Sequence, residues 1–247
     1  MHAMTGTPAL LDYAEAILAS VQEMIGKMRA PTSAPDRPRV ALFLTIAEQF
    51  ESAIRLGKAG MGTHGAVHVR SMLEALVTMN LLAIDPAYPD HLVFENIRGE
   101  KNLYDSLLKN HDLPEAQKLA LQARLTTCQA SYDALRAKGH KPKKITDDFG
   151  TAGMVEFIAP YTILCSLSHN DLAALAARHQ GDTGMTYKAV VADELMQSIY
   201  SVAMTVMVTA AKPMGEIARF SVDGHFDRLF QDMNNTWGTY LRSVSGQ

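Results

Sequence analysis

The residues of this chain best suited to chemistry lie on two apolar stretches. Arg70 and Glu74 are four apart, so on a helix they share one face and can pair. Tyr161, Cys165 and His169 follow at i, i+4 and i+8, with Ser166 and Ser168 beside them. An arginine and a histidine drawn together supply a permanent cation and a group that takes or gives a proton near neutral pH. Next to a phenol and a carboxylate, they could bind a small anionic ligand or a partner, or they could clamp two helices through a polar network. Both readings stand at this point.

Other constellations are weaker. His64 and His68 have the i, i+4 spacing that lets two rings face one metal ion, but no glutamate follows His64 as a zinc-peptidase helix requires. Nor does the chain carry the repeated Glu-x-x-His pairs of a di-iron bundle. The expectation is no metal and no cofactor. A Walker loop and a Gly-x-Ser-x-Gly elbow are absent, which argues against nucleotide-dependent and α/β-hydrolase chemistry. Arg136, Lys138, His140, Lys141, Lys143 and Lys144 form a basic loop that could touch phosphates. Asp147 and Asp148 follow at once and no aromatic interleaves the lysines for base stacking, so the loop reads as a solvated connector.

Hydrophobic periodicity places these residues on helices. Leu10, Ala14, Ile17, Val21, Met24 and Met28 form one stripe of an N-terminal helix over 8–29. Three prolines between Pro31 and Pro38 interrupt the chain as a linker. A main bundle over 39–212 and a C-terminal helical segment over 213–247 complete a single helical domain of 247 residues. No stretch shows sustained apolar–polar alternation, so the fold class is all-α, with about seven or eight helices. Glycines 57, 60, 62 and 65 loosen the chain before the helix that carries Arg70. Long helices are expected over Met154–Arg178 and Ala189–Lys212.

Three segments lack a polar face and should form the interior. Between Arg70 and Asp85 the only charge is Glu74; Phe157–Ala177 carries only Asp171 and His169 among carboxylates and histidines; Leu195–Ala211 is uncharged. If these segments are buried, desolvation forces Arg70, Glu74, Tyr161 and His169 to meet one another inside the bundle.

Composition agrees with a soluble globular chain. Hydrophobic residues make up 47% and charged residues 20%, which excludes wholesale disorder. A net charge of −3 argues against a surface built throughout to grip nucleic acid. Two cysteines, Cys128 and Cys165, cannot build a disulfide framework. The N-terminal residues lack the charge and apolar core of a secretory signal, and 17 uncharged residues with several hydroxyls suit a core helix better than a membrane span. The expected setting is cytoplasmic, without a membrane. The abundant Met and Ala residues would suit either an interior or a helix–helix dimer seam.

The motif Arg70-Ser-Met-Leu-Glu74, followed by an apolar run and later by Tyr161-Thr-Ile-Leu-Cys165-Ser-Leu-Ser-His169, resembles a family of uncharacterised bacterial all-helical proteins. That family pairs an Arg-x-x-x-Glu helix with a Tyr-x-x-x-Ser-x-x-x-His helix, and Cys165 stands where it usually has serine. The resemblance spans roughly residues 39–211 and implies a helical fold with a polar centre at Arg70, Glu74, Tyr161, Cys165, Ser166 and His169. It implies no settled activity. A second, looser similarity is to helical ribonucleases of the HEPN type, whose Arg-x(4–6)-His spacing recurs from Arg219 to His225. Asp223-Gly224 within that stretch should break a helix. An RNA-cleaving stress or defence role would need an arginine and a histidine converging at an open groove; a closed interior cluster would oppose it.

Overall fold

A computed structural model describes residues 7–169, 171–181, 183–187 and 191–245. The chain is all-α. Among the described residues eleven α-helices run in order: α1 (Thr7–Lys27), α2 (Asp36–Lys58), α3 (Gly65–Ile84), α4 (Tyr88–Leu108), α5 (Glu115–Ala137), α6 (Ile145–Thr151), α7 (Ile158–Ser168), α8 (Leu172–His179), α9 (Asp193–Ala211), α10 (Met214–Ile217) and α11 (His225–Ser245). Among the described residues the only strands are two-residue antiparallel ladders. β1 (Met28–Arg29) pairs with β4 (Arg219–Phe220), and β2 (Gln180–Gly181) pairs with β3 (Gly184–Met185).

The helices are more numerous and shorter than the seven or eight expected, for local reasons. The helix expected over Met154–Arg178 is split in two, because Asp171 takes an extended conformation and its side chain accepts from the Ala174 N–H at 2.9 Å, capping α8. Part of the supposed connector folds as α6. Helix α2 starts at Asp36, inside the proline-rich segment. Pro38 falls in its first turn, where the missing N–H would have had no helical partner. The expected helix start at Ala189 lies outside the described residues, as do residues 1–6, 246 and 247 of the terminal segments.

The chain divides into two compact units. One is the chain up to Ala83 together with that from Asp148 onward; the other is Ile84–Asp147. In the first, α1, α2, α3 and α9 supply the core. Helix α3 buries eleven residues and α9 ten, as expected of segments without a polar face. At their junction the Tyr200 hydroxyl, fully buried, donates to the Ala53 carbonyl at 2.7 Å. Gly57 and Gly65 leave room for that ring, since a Cβ on either would stand within 3 Å of the hydroxyl oxygen. Helix α3 with its lead-in turn, Gly62–Ile84, is long and apolar enough to cross a membrane by length and composition; half of its most apolar window is buried inside the protein.

The third expected interior segment is not interior. Helix α7 buries only Tyr161, Leu164 and Leu167, and Ile163 stays 48% exposed. Leu172, at the start of α8, is exposed as well. An apolar sequence without a polar face reports only that a helix lacks charges; here the Ile163 flank of α7 stays partly open, across a small cavity from Ile199 and Val202 of α9.

The second unit is a hairpin of α4 and α5. Phe94 stacks on Tyr132 with ring centroids 5.3 Å apart and on His140 at 6.2 Å. The basic loop is tied down within this unit: Lys138 pairs with Asp90 at 3.2 Å, and the Lys143 ammonium lies 5.7 Å from the Tyr88 ring centroid.

Candidate functional site

Helix α3 presents Arg70 and Glu74 on the face where α7 arrives. The Arg70 Nε donates to Glu74 Oε1 at 3.0 Å, and the Tyr161 hydroxyl donates to the same oxygen at 2.7 Å. The guanidinium stands 5.7 Å from the Tyr161 ring centroid, and the ring's other neighbour is Phe149, 5.2 Å away. On its outward side Arg70 Nη1 lies 3.2 Å from His169 Nε2. Because arginine can only donate, this contact requires the lone pair on Nε2 and places the imidazole proton on Nδ1.

The residues expected to meet do meet, but not in a sealed interior. Arg70 is 26% exposed, Glu74 39%, and His169 lies open to solvent; Tyr161, at 6%, is the buried member. The expectation of a deeply buried centre is corrected to a cluster at the surface. Arg70 and Glu74 follow α3 to its margin, where their long side chains reach past the apolar body of the helix.

Electrostatics follow this arrangement. Burial works against the Arg70 charge, but the Tyr161 hydrogen bond and the Glu74 charge outweigh it and hold the guanidinium pKa above its ordinary value. Burial first, and then the bond to Glu74, push the Tyr161 phenol well up, so it stays protonated and acts as a donor. Cys165 lies half-buried within reach of Tyr161 and Arg70. Ser166 points elsewhere, donating its hydroxyl to Asp171. That bond, followed by the one from the Ala174 N–H, lowers the Asp171 carboxyl below the usual range.

Asp171 was not among the expected site residues, although it determines where α7 stops and therefore where His169 stands. Its signal was an aspartate directly before the run Leu172-Ala-Ala-Leu, the position of an N-cap. Phe149, fully buried behind the Tyr161 ring, was hidden in the presumed connector.

The remaining candidates separate. His68 is turned toward Gln49 of α2, with Nδ1 and Oε1 2.5 Å apart, and burial lowers its pKa. His64 lies on the turn before α3 and faces a different cavity. Among the described residues no group of three or more histidine, cysteine or carboxylate side chains could hold a metal ion. Arg219 lies in β4 opposite Arg29, whereas His225 opens α11 with Nε2 3.4 Å from Glu23 and from Arg228. Asp223-Gly224 does form a turn, with Gly224 at φ +72°.

Residues 37–186 match a family of unknown function (DUF5677). The chain belongs to this family. The matched span is more than half of the chain and contains Arg70, Glu74, Tyr161, Cys165, Ser166, His169 and Asp171. No curated protein and no solved structure matches the chain.

Proposed function

We propose that the cluster of Arg70, Glu74, Tyr161 and His169 binds a small ligand through an anionic group. The observation that carries this reading is the two-sided Arg70 guanidinium. Its inner edge is fixed by Glu74 and by the Tyr161 ring, and its outer edge faces the exposed His169. A guanidinium held from behind loses less side-chain entropy when it engages a carboxylate or phosphate, and Arg is the residue best shaped for that pairing. Glu74 and the phenol beside it could receive a donor group on the same ligand. Cys165 adjoins Tyr161 within the site, and Ser166 borders it, turned to Asp171.

The test is a thermal-shift screen of small carboxylates and phosphate monoesters against the protein and its Arg70→Met variant. A true ligand at a hundred times its Kd adds about 2.7 kcal/mol, or about 5–10 °C for a chain of this size. The expected result is a compound that raises the melting temperature of the natural protein and leaves that of the variant unchanged. A panel in which nothing discriminates between the two would overturn the reading.

One observation favours a second reading, RNA cleavage. Arg70 and His169 approach within 3.2 Å in the open rather than inside a closed core. There His169 Nε2, its lone pair released from Arg70, would take the proton of a ribose 2′-hydroxyl as that oxygen attacks phosphorus, and the 5′-oxygen would leave with a proton from water. Arg70 would stabilise the charge on the phosphoryl oxygens. Incubation of the purified protein with total RNA decides it: degradation lost in His169→Ala supports this reading, and intact RNA refutes it.

A further inference from the structure

The outward face shared by α7 and α9 differs in composition from a solvated surface. Helix α7 carries no charged residue, and α9 carries none between Glu194 and Lys212. Leu195, Ser198, Val202, Thr205 and Thr209 recur at alternating three- and four-residue steps, so they form one stripe along α9. Each is half-buried or exposed. Beside the stripe an apolar hollow of about 120 Å³ opens between Pro160, Ile163 and Leu164 of α7 and Ser198, Ile199 and Val202 of α9. Ile163 rises at its edge, 48% exposed.

A helix face left to water ordinarily carries Lys, Glu or Gln, which are well solvated and favour the helix. Here β-branched and hydroxyl residues take their place, and Thr205 turns its hydroxyl onto its own helix, donating to the Ser201 carbonyl at 2.8 Å. Depletion of charge marks the centre of an interface. The hollow is smaller than the roughly 300 Å³ at which small-molecule sites begin, and it suits a single aliphatic side chain. No lysine, arginine or tryptophan on α7 or along the stripe offers a grip for lipid headgroups.

The charges at the two ends of α9 identify the occupant. Glu194 lies in the first turn and Lys212 directly follows the last, still with helical dihedrals. Both are exposed, and among the described residues neither is paired. They stand about five turns apart, which puts them on the same flank of the stripe. In an antiparallel helix pair each flank meets the same flank of the other helix. A second copy laid antiparallel on the first therefore sets each Glu194 opposite the Lys212 of the other copy. Val202 then meets its counterpart near the two-fold axis, Ser198 meets Thr205 and Leu195 meets Thr209. The N-terminus of each helix also lies beside the C-terminus of the other, which their partial charges favour. Ile163 and the hollow beside it place a ridge and a socket on one patch, as an isologous interface requires.

We propose that this face pairs with a second copy of the chain, α9 against α9 in antiparallel. The 19 residues of α9 span about 28 Å, and with α7 alongside the face is about 20 Å wide, so each copy would bury roughly 500 Å². Stable complexes bury roughly 800 Å² per partner, so this dimer is a reversible one, with a Kd of about 1–100 μM. The surface stands independently of the reading given for Arg70.

Sedimentation equilibrium of the full chain, at concentrations spanning that range, is the test. The expected result is a reversible equilibrium between monomer and dimer. Ile163→Glu should weaken it about a hundredfold, because pairing would bury an unpaired carboxylate from each copy. Lys212→Glu, which sets like charges against each other at both ends, should weaken it about tenfold. Adding Glu194→Lys to that variant should restore the pairing. Leu119→Lys, on the exposed surface of α5, should change nothing. Every one of these positions is exposed, so the dilute monomers should melt as the natural protein does. A chain that stays monomeric throughout overturns the proposal, as does a dimer that Ile163→Glu leaves intact. A dimer weakened by Leu119→Lys instead lies on another face and overturns it equally. Failure of the charge exchange to restore pairing overturns the antiparallel arrangement.

Discussion

Helices α3 and α7 bring their polar residues to one place from opposite surroundings. Helix α3 is walled on nearly every side, with eleven buried residues, and only its margin carries Arg70 and Glu74. Helix α7 is packed along one flank, leaving Ile163 exposed on the other. The site therefore joins a rigid half to a half that rests on a few contacts and on the Asp171 cap. An ion pair such as Arg70–Glu74, at a partly exposed margin, contributes about 0–1 kcal/mol to folding. Its position is determined by the core beneath it more than by the pair itself.

The contrast can be broken by mutation. Leu76, fully buried on α3, should cost about 2–5 kcal/mol when changed to alanine, read by chemical denaturation. A loss below about 1 kcal/mol would show that α3 is not the rigid half. Tyr161→Phe removes the donor to Glu74 and should cost about 0.5–1.5 kcal/mol by the same measurement. It should also raise the mobility of the Arg70 guanidinium, visible in its Nε–H NMR signal.

Acid sharpens the comparison further. The Asp171 carboxyl is lowered in the folded protein, first by Ser166 and then by Ala174. Its contribution is therefore complete above the ordinary carboxylate value of about 4 and is lost as pH falls through the lowered folded value. Asp171→Asn, which keeps a cap acceptor but cannot titrate, should flatten that part of the stability–pH curve, with melting near neutral pH little changed. A parallel acid limb in the variant would show that other carboxyls carry it. Smallest of all, Ile163→Ala should alter stability by no more than about 0.5 kcal/mol. A larger loss would place the exposed flank of α7 under cover.

Much of this was legible in the residues themselves. The all-helical class followed from periodicity, and the burial of α3 and α9 from their lack of a polar face. The meeting of Arg70, Glu74, Tyr161 and His169 followed from their spacing on two apolar helices. The depth of that meeting was not legible, because an apolar helix reads alike whether neighbours cover one flank or two. Asp171 was visible as a residue but not as a break, since the run of small apolar residues around it argued for one continuous helix. The glycines at 60, 62 and 65 read as looseness, whereas Gly62 and Gly65 are points of close approach to Met196 and Tyr200. Tertiary contact gave them a meaning that local sequence does not carry.

The Tyr200 hydroxyl, reaching from α9 to the Ala53 carbonyl of α2 between Gly57 and Gly65, pins the entry to α3. A side chain added at Gly57 or Gly65 would have to displace that ring, so both positions should resist substitution although neither belongs to the polar cluster.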